Sequence, residues 1–597
     1  MKLSATQELP EKSALRLAGH DLIMQVLDKP VSSYSERMHE LGLIMRIMGS
    51  RSKGNPMLFG EAGVGKTFLV KCLAQMIVDD RVASWLKNRK IVMISFQDII
   101  AGIGKGSDWP WKDYLHVLKK IINEAIENRI ILFMDEIHDI FHYPQSTNIL
   151  KPHLSDGSLN IIGATTFKEY MRFIEKDKAI TRRFQNVIVA EPQGQQLLQI
   201  LKDEAKILEA HYEVKIPINL IEEAIKHSND YLLYRYEPDK SIDIIEQACI
   251  LTSLDQQKFV PLKYIVKVIS EMTNLPEELL SSGSDRVAGL NVALNHKVLG
   301  QEYAIAKIVD RLLITKNKVQ SNRSRPLGVF LFTGPSGVGK TELARAIAEH
   351  FTGDKANLVR IDMSIYKSVY SLNSLLGRPP HGSDPAHLPA LTLNLRNRPF
   401  NVLLLDEIDK ADPEVLQIFL QVFDYGKLTD YQGNEVYFNN SVVIMTCNIL
   451  PENKITIKGF SSEEQAPSSD YEEEAIIAVE KRFLKEFIGR VDEIIVFQPL
   501  NDKIMKGFVD QKIKELETAI NKSIQVSDEV ISKIVEFGFH QEYGARRLNY
   551  TVDMIIGKAL AELKMNHNWD ELKKIKVLLD SDKKVYAEGI EFKYDMN

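Results

Sequence analysis

The octapeptide Gly-Glu-Ala-Gly-Val-Gly-Lys-Thr at Gly60–Thr67 recurs, with two changes, as Gly-Pro-Ser-Gly-Val-Gly-Lys-Thr at Gly334–Thr341, about 270 residues later. Each copy follows a short apolar run (Pro56–Phe59; Val329–Phe332) and leads into apolar residues at helical spacing (Phe68–Ala74; Glu342–Ala348). A strand, a glycine-rich loop and a helix in that order make a phosphate-binding loop. Glycines at Gly60, Gly63 and Gly65, and at Gly334, Gly337 and Gly339, let successive backbone N–H groups turn toward phosphate oxygens, and the helix N-terminus adds its positive end. Lys66 and Lys340 are then expected to reach the β- and γ-phosphates of ATP, and Thr67 and Thr341 to hold Mg2+. Two such loops in one chain predict two sites that consume nucleotide.

A chain of 597 residues is too long for one core, and length alone suggests about four domains. The apolar share of 44% and charged share of 26% are those of an ordinary globular protein. A formal net charge of −6 disfavours bulk nucleic-acid binding, which calls for a basic balance. The three cysteines, Cys72, Cys249 and Cys447, are widely spaced, and Cys72 and Cys249 lie among apolar helical residues, as buried thiols in a reducing compartment would. The first residues lack the apolar stretch of a signal peptide, and no apolar run is long enough for a bilayer, so a cytoplasmic protein without membrane contact is expected.

The repeat extends beyond the loops. About 70 residues after each loop an apolar run ends in paired carboxylates, Ile130–Met134 before Asp135 and Glu136, and Asn401–Leu405 before Asp406 and Glu407. Such runs read as buried parallel strands delivering acids at their carboxyl ends. A third strand follows in each unit, ending at Thr165 and Thr166 in the first and at Asn448 in the second. Behind each α/β stretch comes a helical one, and the last residues suggest a terminal β-hairpin. The expected fold is α/β: two tandem modules, each a P-loop parallel-sheet domain followed by a smaller helical domain. Its expected boundaries are 1–28 (a short N-terminal segment), 29–195, 196–285, 286–498 and 499–597.

Hydrolysis of a phosphate anhydride asks mainly for positioning and charge stabilisation. Asp135 and Asp406 are expected to orient the Mg2+ shell beside the P-loop threonine, and Glu136 and Glu407 to polarise the attacking water as general bases. Thr166 and Asn448 should lie between the acid strand and the P-loop, where they can bond the γ-phosphate or the water; the alternative for Thr166 is a strand-end cap.

With these motifs the chain resembles a double-ring AAA+ ATPase of the Clp family, of the ClpA/ClpC type, over residues 25–590. The supporting strings are Gly163-Ala-Thr-Thr-Phe-Lys-Glu-Tyr170, Ile174 through Phe184, Pro238-Asp-Lys-Ser-Ile-Asp243, Val298-Leu-Gly-Gln301, Leu404 through Ala411, Phe487-Ile-Gly-Arg490 and Tyr543-Gly-Ala-Arg546-Arg547-Leu548. The resemblance implies that Arg182, Arg183 and Arg490 are arginine fingers entering a neighbouring subunit's site, and that Arg546 senses the γ-phosphate from the helical lid. It also implies a homo-hexamer that remodels protein substrates. A guanidinium supplied in trans makes hydrolysis depend on assembly, in accord with that reading.

The chain departs from the family pattern in three places. Only a short segment precedes the first module, where relatives usually carry an N-terminal domain. The aromatic pore loops are replaced by Ala101 through Trp111 in the first module and Gly377 through His387 in the second, with Gly382 where a tyrosine is expected and His381 beside it. Trp109 or Trp111 either takes over the grip on polypeptide or packs at the base of the next helix. The tripeptide by which relatives dock a ClpP-like peptidase corresponds to Lys458-Gly459-Phe460, with Ile457 adjacent; Phe460 either anchors in a partner or folds onto its own surface. The leading expectation is an ATP-driven unfoldase. The competing one is an ATP-switched assembly platform that binds a partner without threading it.

Overall fold

In the computed structural model the chain is described except at residues 1–4, 11–12, 32–33, 51–53, 102–109, 278–279, 281–288, 317–324, 353–357, 378–389, 396–399, 432, 451–468, 539–545, 567–568, 570–571, 573, 581–583 and 591–597. Side chains are also left undescribed at 34–35, 110–112, 316, 352, 390, 393–394, 469–470, 546, 566 and 590. It divides into two units, Met1–Met272 and Thr273–Asn597.

In the first unit, six strands form one sheet: β1 (His20–Asp21), β2 (Asn55–Phe59), β3 (Ile91–Ile94), β4 (Ile131–Met134), β5 (Asn160–Thr165) and β6 (Phe184–Ile188). Their order is β1-β3-β4-β5-β2-β6, parallel throughout except for the short antiparallel edge strand β1. Alternate side chains serve two cores. Met57, Phe59, Leu132, Met134 and Ile161 pack on one face with the helix Pro110–Asn128, while Leu58, Ile131, Phe133 and Ile162 pack on the other with the helix Lys66–Val78. Both faces being covered is why these strands read as unbroken apolar runs.

The second unit repeats the plan with β7 (Gly328–Thr333), β8 (Leu358–Asp362), β9 (Asn401–Asp406), β12 (Ser441–Thr446) and β13 (Glu493–Val496), in the all-parallel order β13-β7-β12-β9-β8. Between β9 and β12 a small antiparallel ribbon is made by β10 (Lys427–Thr429) and β11 (Glu435–Tyr437). In both sheets the third strand lies between the P-loop strand and the acid strand, hydrogen-bonded to each. That order brings loop, acids and third-strand residues to one edge of the sheet.

Helices Gly194–Tyr212, Ile218–Tyr231, Asp239–Leu254 and Leu262–Thr273 follow the first sheet. Helices Asp502–Ile520, Asp528–Gly538, Arg546–Val552 and Lys558–Asn566 follow the second. The expected terminal hairpin is β15 (Lys574–Leu579) with β16 (Val585–Ile590). It is joined in parallel by β14 (Ser523–Val526), a pairing that the local pattern gave no means of seeing.

Pro56 sits inside β2 with no N–H to donate; it stays in register with Gln185 of β6, but the pairing with β5 begins only at Met57. Asn55 repairs the entrance: its Oδ1 accepts the Ile161 N–H at 2.8 Å and its Nδ2 donates to the Arg183 carbonyl at 3.4 Å. Asn55→Ala leaves a buried N–H unsatisfied and should cost the first unit about 1–3 kcal/mol, read as an earlier first transition in a urea melt.

Candidate active sites

The first glycine of each P-loop has no room for a side chain. A Cβ at Gly60 would lie 2.7 Å from the Val189 carbonyl oxygen, and one at Gly334 would lie 2.7 Å from that of Phe497. Each loop thus packs directly on the residue that follows the last strand of its sheet, an approach only glycine permits. From there the chain turns into the helices Lys66–Val78 and Lys340–Thr352. Lys66 Nζ donates to the carbonyls of Gly60 (2.9 Å) and Glu61 (3.1 Å). Lys340 Nζ donates to those of Gly334 (2.6 Å) and Pro335 (2.7 Å) and to Asn448 Oδ1 at 2.9 Å. Both lysines are buried, and their ammonium groups are held by two acceptors at Lys66 and three at Lys340, as burial of a charge demands.

A second fixing point is the carbonyl of the valine inside each loop. Arg37 is buried and donates to Val64 O at 3.0 Å, to Ala190 O at 3.1 Å and to Glu40 Oε1 at 3.0 Å. In the second unit buried Gln301 donates to Val338 O at 3.4 Å and Gln498 O at 3.0 Å, and its Oε1 accepts the Gln498 N–H. Two different side chains tie the same loop carbonyl to the same end of the last strand. Sequence reasoning overlooked both as site residues: Arg37 lies on no motif, and Gln301 counted only as the end of the string Val298-Leu-Gly-Gln301, with no role attached to its side chain.

The carboxylate pairs emerge where β4 and β9 end. Thr67 Oγ1 donates to Asp135 Oδ2 at 2.7 Å, and the Glu136 N–H bonds Asp135 Oδ1 at 3.1 Å. Glu136 (φ 46°) and Glu407 (φ 55°) both adopt the left-handed conformation as they cap the following short helix. For a glutamate that conformation costs about 1–2 kcal/mol, and it occurs at the same residue in both units. It swings each glutamate sharply off the strand axis. Burial first, and then the charge of Glu169, push the Glu136 carboxyl above its ordinary range. Its carboxylate lies 3.3 Å from His138 Nδ1, which is also 3.4 Å from Glu169 Oε2 and 3.2 Å from Thr165 Oγ1. These three residues, Glu136, His138 and Glu169, bring ligand-type atoms within 4.8 Å of one another.

Thr166 is drawn into a cap. Its Oγ1 donates to Glu169 Oε2 at 2.8 Å and accepts the Glu169 N–H at 3.3 Å, a capping box on the helix Phe167–Glu169. Asn448, at the corresponding place in the second unit, bonds the P-loop lysine instead. There Thr446 donates to Asp406 Oδ1 and accepts the Glu407 N–H at 3.1 Å. Arg360, from β8, donates to Asp406 Oδ2 from Nε at 2.9 Å and lies 2.6 Å away through Nη2. A lone arginine in the strand Leu358-Val-Arg-Ile-Asp362 was the available sequence signal for it. A cavity of about 460 Å³ joins these groups: Lys340, Thr341, Arg360, Asp406, Glu407 and Asn448 line it, and Phe508, Gln511, Leu548 and Asn549 from the helical domain close it. The helix that begins at Arg546 therefore borders the site, although the Arg546 side chain is outside the described residues.

Arg182 and Arg183 are not brought to the site of their own chain. They directly precede β6, whose first residue pairs with Asn55 at the start of β2, so they lie at the opposite edge of the sheet from Gly60. The five residues of β2 separate the two edges by about 16 Å at strand rise. Arg490 stands likewise before β13 at the far edge of the second sheet. It is held by Asp424 Oδ2 at 2.6 Å, and its loop is braced by Arg325, which donates to the carbonyls of Phe423 and Arg490. The pore-loop residues Trp109, His381 and Gly382, the Trp111 side chain, and the tripeptide region Ile457, Gly459 and Phe460 lie outside the described residues.

Family models match both units. Residues 56–191 match the ATPase family associated with various cellular activities (AAA), 193–290 an AAA lid domain, 325–494 an AAA domain (Cdc48 subfamily), and 500–577 the C-terminal, D2-small domain of ClpB protein. The fold and the paired sites thus define a tandem AAA ATPase that binds nucleotide. Chaperone protein ClpB of Oceanobacillus iheyensis is 32% identical over 97% of this chain and 80% of that protein. The ATP-dependent Clp protease ATP-binding subunit ClpC of Staphylococcus aureus is 33% identical over 97% and 78%. A closed-state structure of Hsp104 with ATPγS and FITC casein superimposes with a TM-score of 0.81 at 30% identity, covering 97% of this chain and 99% of that one. The extended Hsp104–casein complex of S. cerevisiae gives 0.79 at 30% identity, covering 96% and 100%. The chain belongs to the Clp family of chaperone-unfoldase ATPases. Among the described residues no helix is long and apolar enough to cross a membrane.

Arg37→Ala strips donors from the buried Val64 carbonyl and the Ala190 carbonyl and leaves Glu40 without its cation. It should weaken nucleotide binding at the first site about ten-fold or more, measured with a fluorescent ATP analogue in a Lys340→Ala background.

Proposed function

We propose that the chain is an ATP-driven protein unfoldase that works as a double-ring hexamer in the cytoplasm, with Mg2+ at both sites. The observation that carries the assembly is the position of Arg182, Arg183 and Arg490 at the sheet edge remote from their own P-loops. A guanidinium there can act on phosphate only across a subunit boundary, which makes hydrolysis a property of the ring. The hydroxyl and carboxylate oxygens of Thr67 and Asp135, and of Thr341 and Asp406, suit a hard cation. When bound, Mg2+ neutralises phosphate charge and fixes the leaving oxygens.

The protein's own part is positioning. Lys66 and Lys340 exchange loop carbonyls for phosphate oxygens, and Asn448 follows the movement of Lys340. Glu136 and Glu407, aimed by their left-handed backbone, take the proton of the attacking water. Arg546 reads the γ-phosphate from the lid. We assign the grip on substrate to the first-module loop bearing Trp109 and Trp111, and contact with a ClpP-like peptidase to Ile457, Gly459 and Phe460. Relatives solved with casein support a polypeptide substrate, and three buried cysteine thiols suit the cytoplasm.

ATP-dependent unfolding of a tagged fluorescent protein tests this reading. Glu136→Gln with Glu407→Gln should abolish unfolding while nucleotide binding persists. Intact protein that hydrolyses ATP yet unfolds no substrate would overturn threading in favour of the switched platform. In the same assay Phe460→Ala should prevent degradation by an added ClpP-like peptidase without affecting unfolding.

The raised Glu136 carboxyl carries a pH signature. A general base must be ionised, so first-site hydrolysis in a Glu407→Gln background should fall on the acid side at a pH above the ordinary glutamate range. Glu169→Gln removes the neighbouring charge and should move that limb to lower pH in a rate profile.

A further inference from the structure

The two sites differ in the strand beside the acid strand. β8 pairs with β9 so that Arg360 faces Leu404 and Asp362 faces Asp406. β3 pairs with β4 so that Met93 faces Phe133. Leu404 and Phe133 both stand two residues before the strand-end aspartate, so Arg360 and Met93 hold the same register position in their sheets. One is a permanent cation and the other a neutral thioether.

The consequence lies in who partners the aspartate. Asp135 Oδ2 takes the P-loop threonine hydroxyl, and Oδ1 takes the next backbone N–H. Asp406 is buried, its Oδ2 held by both Nε and Nη2 of Arg360 and its Oδ1 by Thr446. The Arg360 side chain is 54% exposed and lines the same cavity as Lys340 and Thr341. Its charge sits where a divalent cation bound by Thr341 and Asp406 would have to work against it, and like charges at a few ångströms repel strongly in a partly buried site.

We propose that Arg360 is a built-in counter-ion of Asp406, a positioning residue that competes with Mg2+ for this carboxylate and gives the second site alone a higher Mg2+ requirement. The inference rests on the Mg2+ reading above. Asp406 stays paired and oriented when Mg2+ is scarce, and Arg360 must release it as the cation enters. The released guanidinium remains at the cavity wall, free to turn to phosphate oxygens. Among the described residues the first site has no such counter-ion, because Met93 stands in the corresponding position and a thioether cannot pair with Asp135.

The test is equilibrium binding of a fluorescent ATP analogue to the full chain over a range of free Mg2+, with the first site silenced by Lys66→Ala. Arg360→Gln should lower the Mg2+ midpoint of binding about ten-fold, while Arg360→Lys, which keeps the charge, should leave it near the parent value. The parent second site should also show a higher midpoint than the first site measured in Lys340→Ala. Arg360 is half exposed at the sheet edge, so these variants retain the fold, and a general weakening of the site would raise the midpoint rather than lower it. An unchanged or raised midpoint in Arg360→Gln overturns the inference while Mg2+ dependence itself persists. If binding at the parent sites ignores Mg2+ altogether, the Mg2+ reading fails and takes the inference with it.

Discussion

Strand order is the constraint on which both sites depend. The P-loop strand and the acid strand are not neighbours; the third strand separates them and pairs with each. Parallel pairing of these strands then delivers a glycine loop, an Asp-Glu pair and a polar strand end at one edge of a rigid sheet. The sheet is buried on both faces, so its register cannot slip without turning a whole set of apolar side chains from one core to the other. The catalytic geometry inherits that stiffness.

Around this shared frame the two units solve the same problems with different residues. Arg37 and Gln301 both hold the loop valine carbonyl, one through an ion-paired guanidinium and the other through a neutral amide. The first site surrounds its glutamate with His138 and Glu169, whereas the second surrounds its aspartate with Arg360 and Thr446. The left-handed glutamate is retained in both, at an energetic cost that the fold accepts twice. Such strain at matching positions marks a geometry that the site requires.

Much of this was legible in the linear chain. Glycine spacing, apolar runs and carboxylate pairs are local signals, and they located two P-loops, two acid strands and two third strands by number. The residues that complete the sites were harder to see. Arg37, Gln301 and Arg360 act from segments far from the motifs they touch; Arg37 and Arg360 are single polar residues with no pattern around them, and the string that ends at Gln301 does not say what its side chain holds. Thr166 shows the reverse difficulty. The motif placed it at the strand end, but the hydroxyl turned to Glu169 three residues on, because a local cap satisfies it more readily than a distant partner.

A doubled P-loop ATPase with its acids in place was written in the linear chain, because phosphate binding needs glycines at fixed spacing within one short segment, and that spacing cannot be hidden. The linear chain also marked Arg182, Arg183 and Arg490, through their motifs. Where those arginines stand relative to their own sites follows from the folded sheet, since parallel register carries them to its far edge. The fold also decided that the two engines differ. Met93 and Arg360 take the same place beside the acid strand, opposite the residue two before its aspartate, only through a pairing between strands some 40 residues apart, and long-range register is written in packing rather than in any local motif.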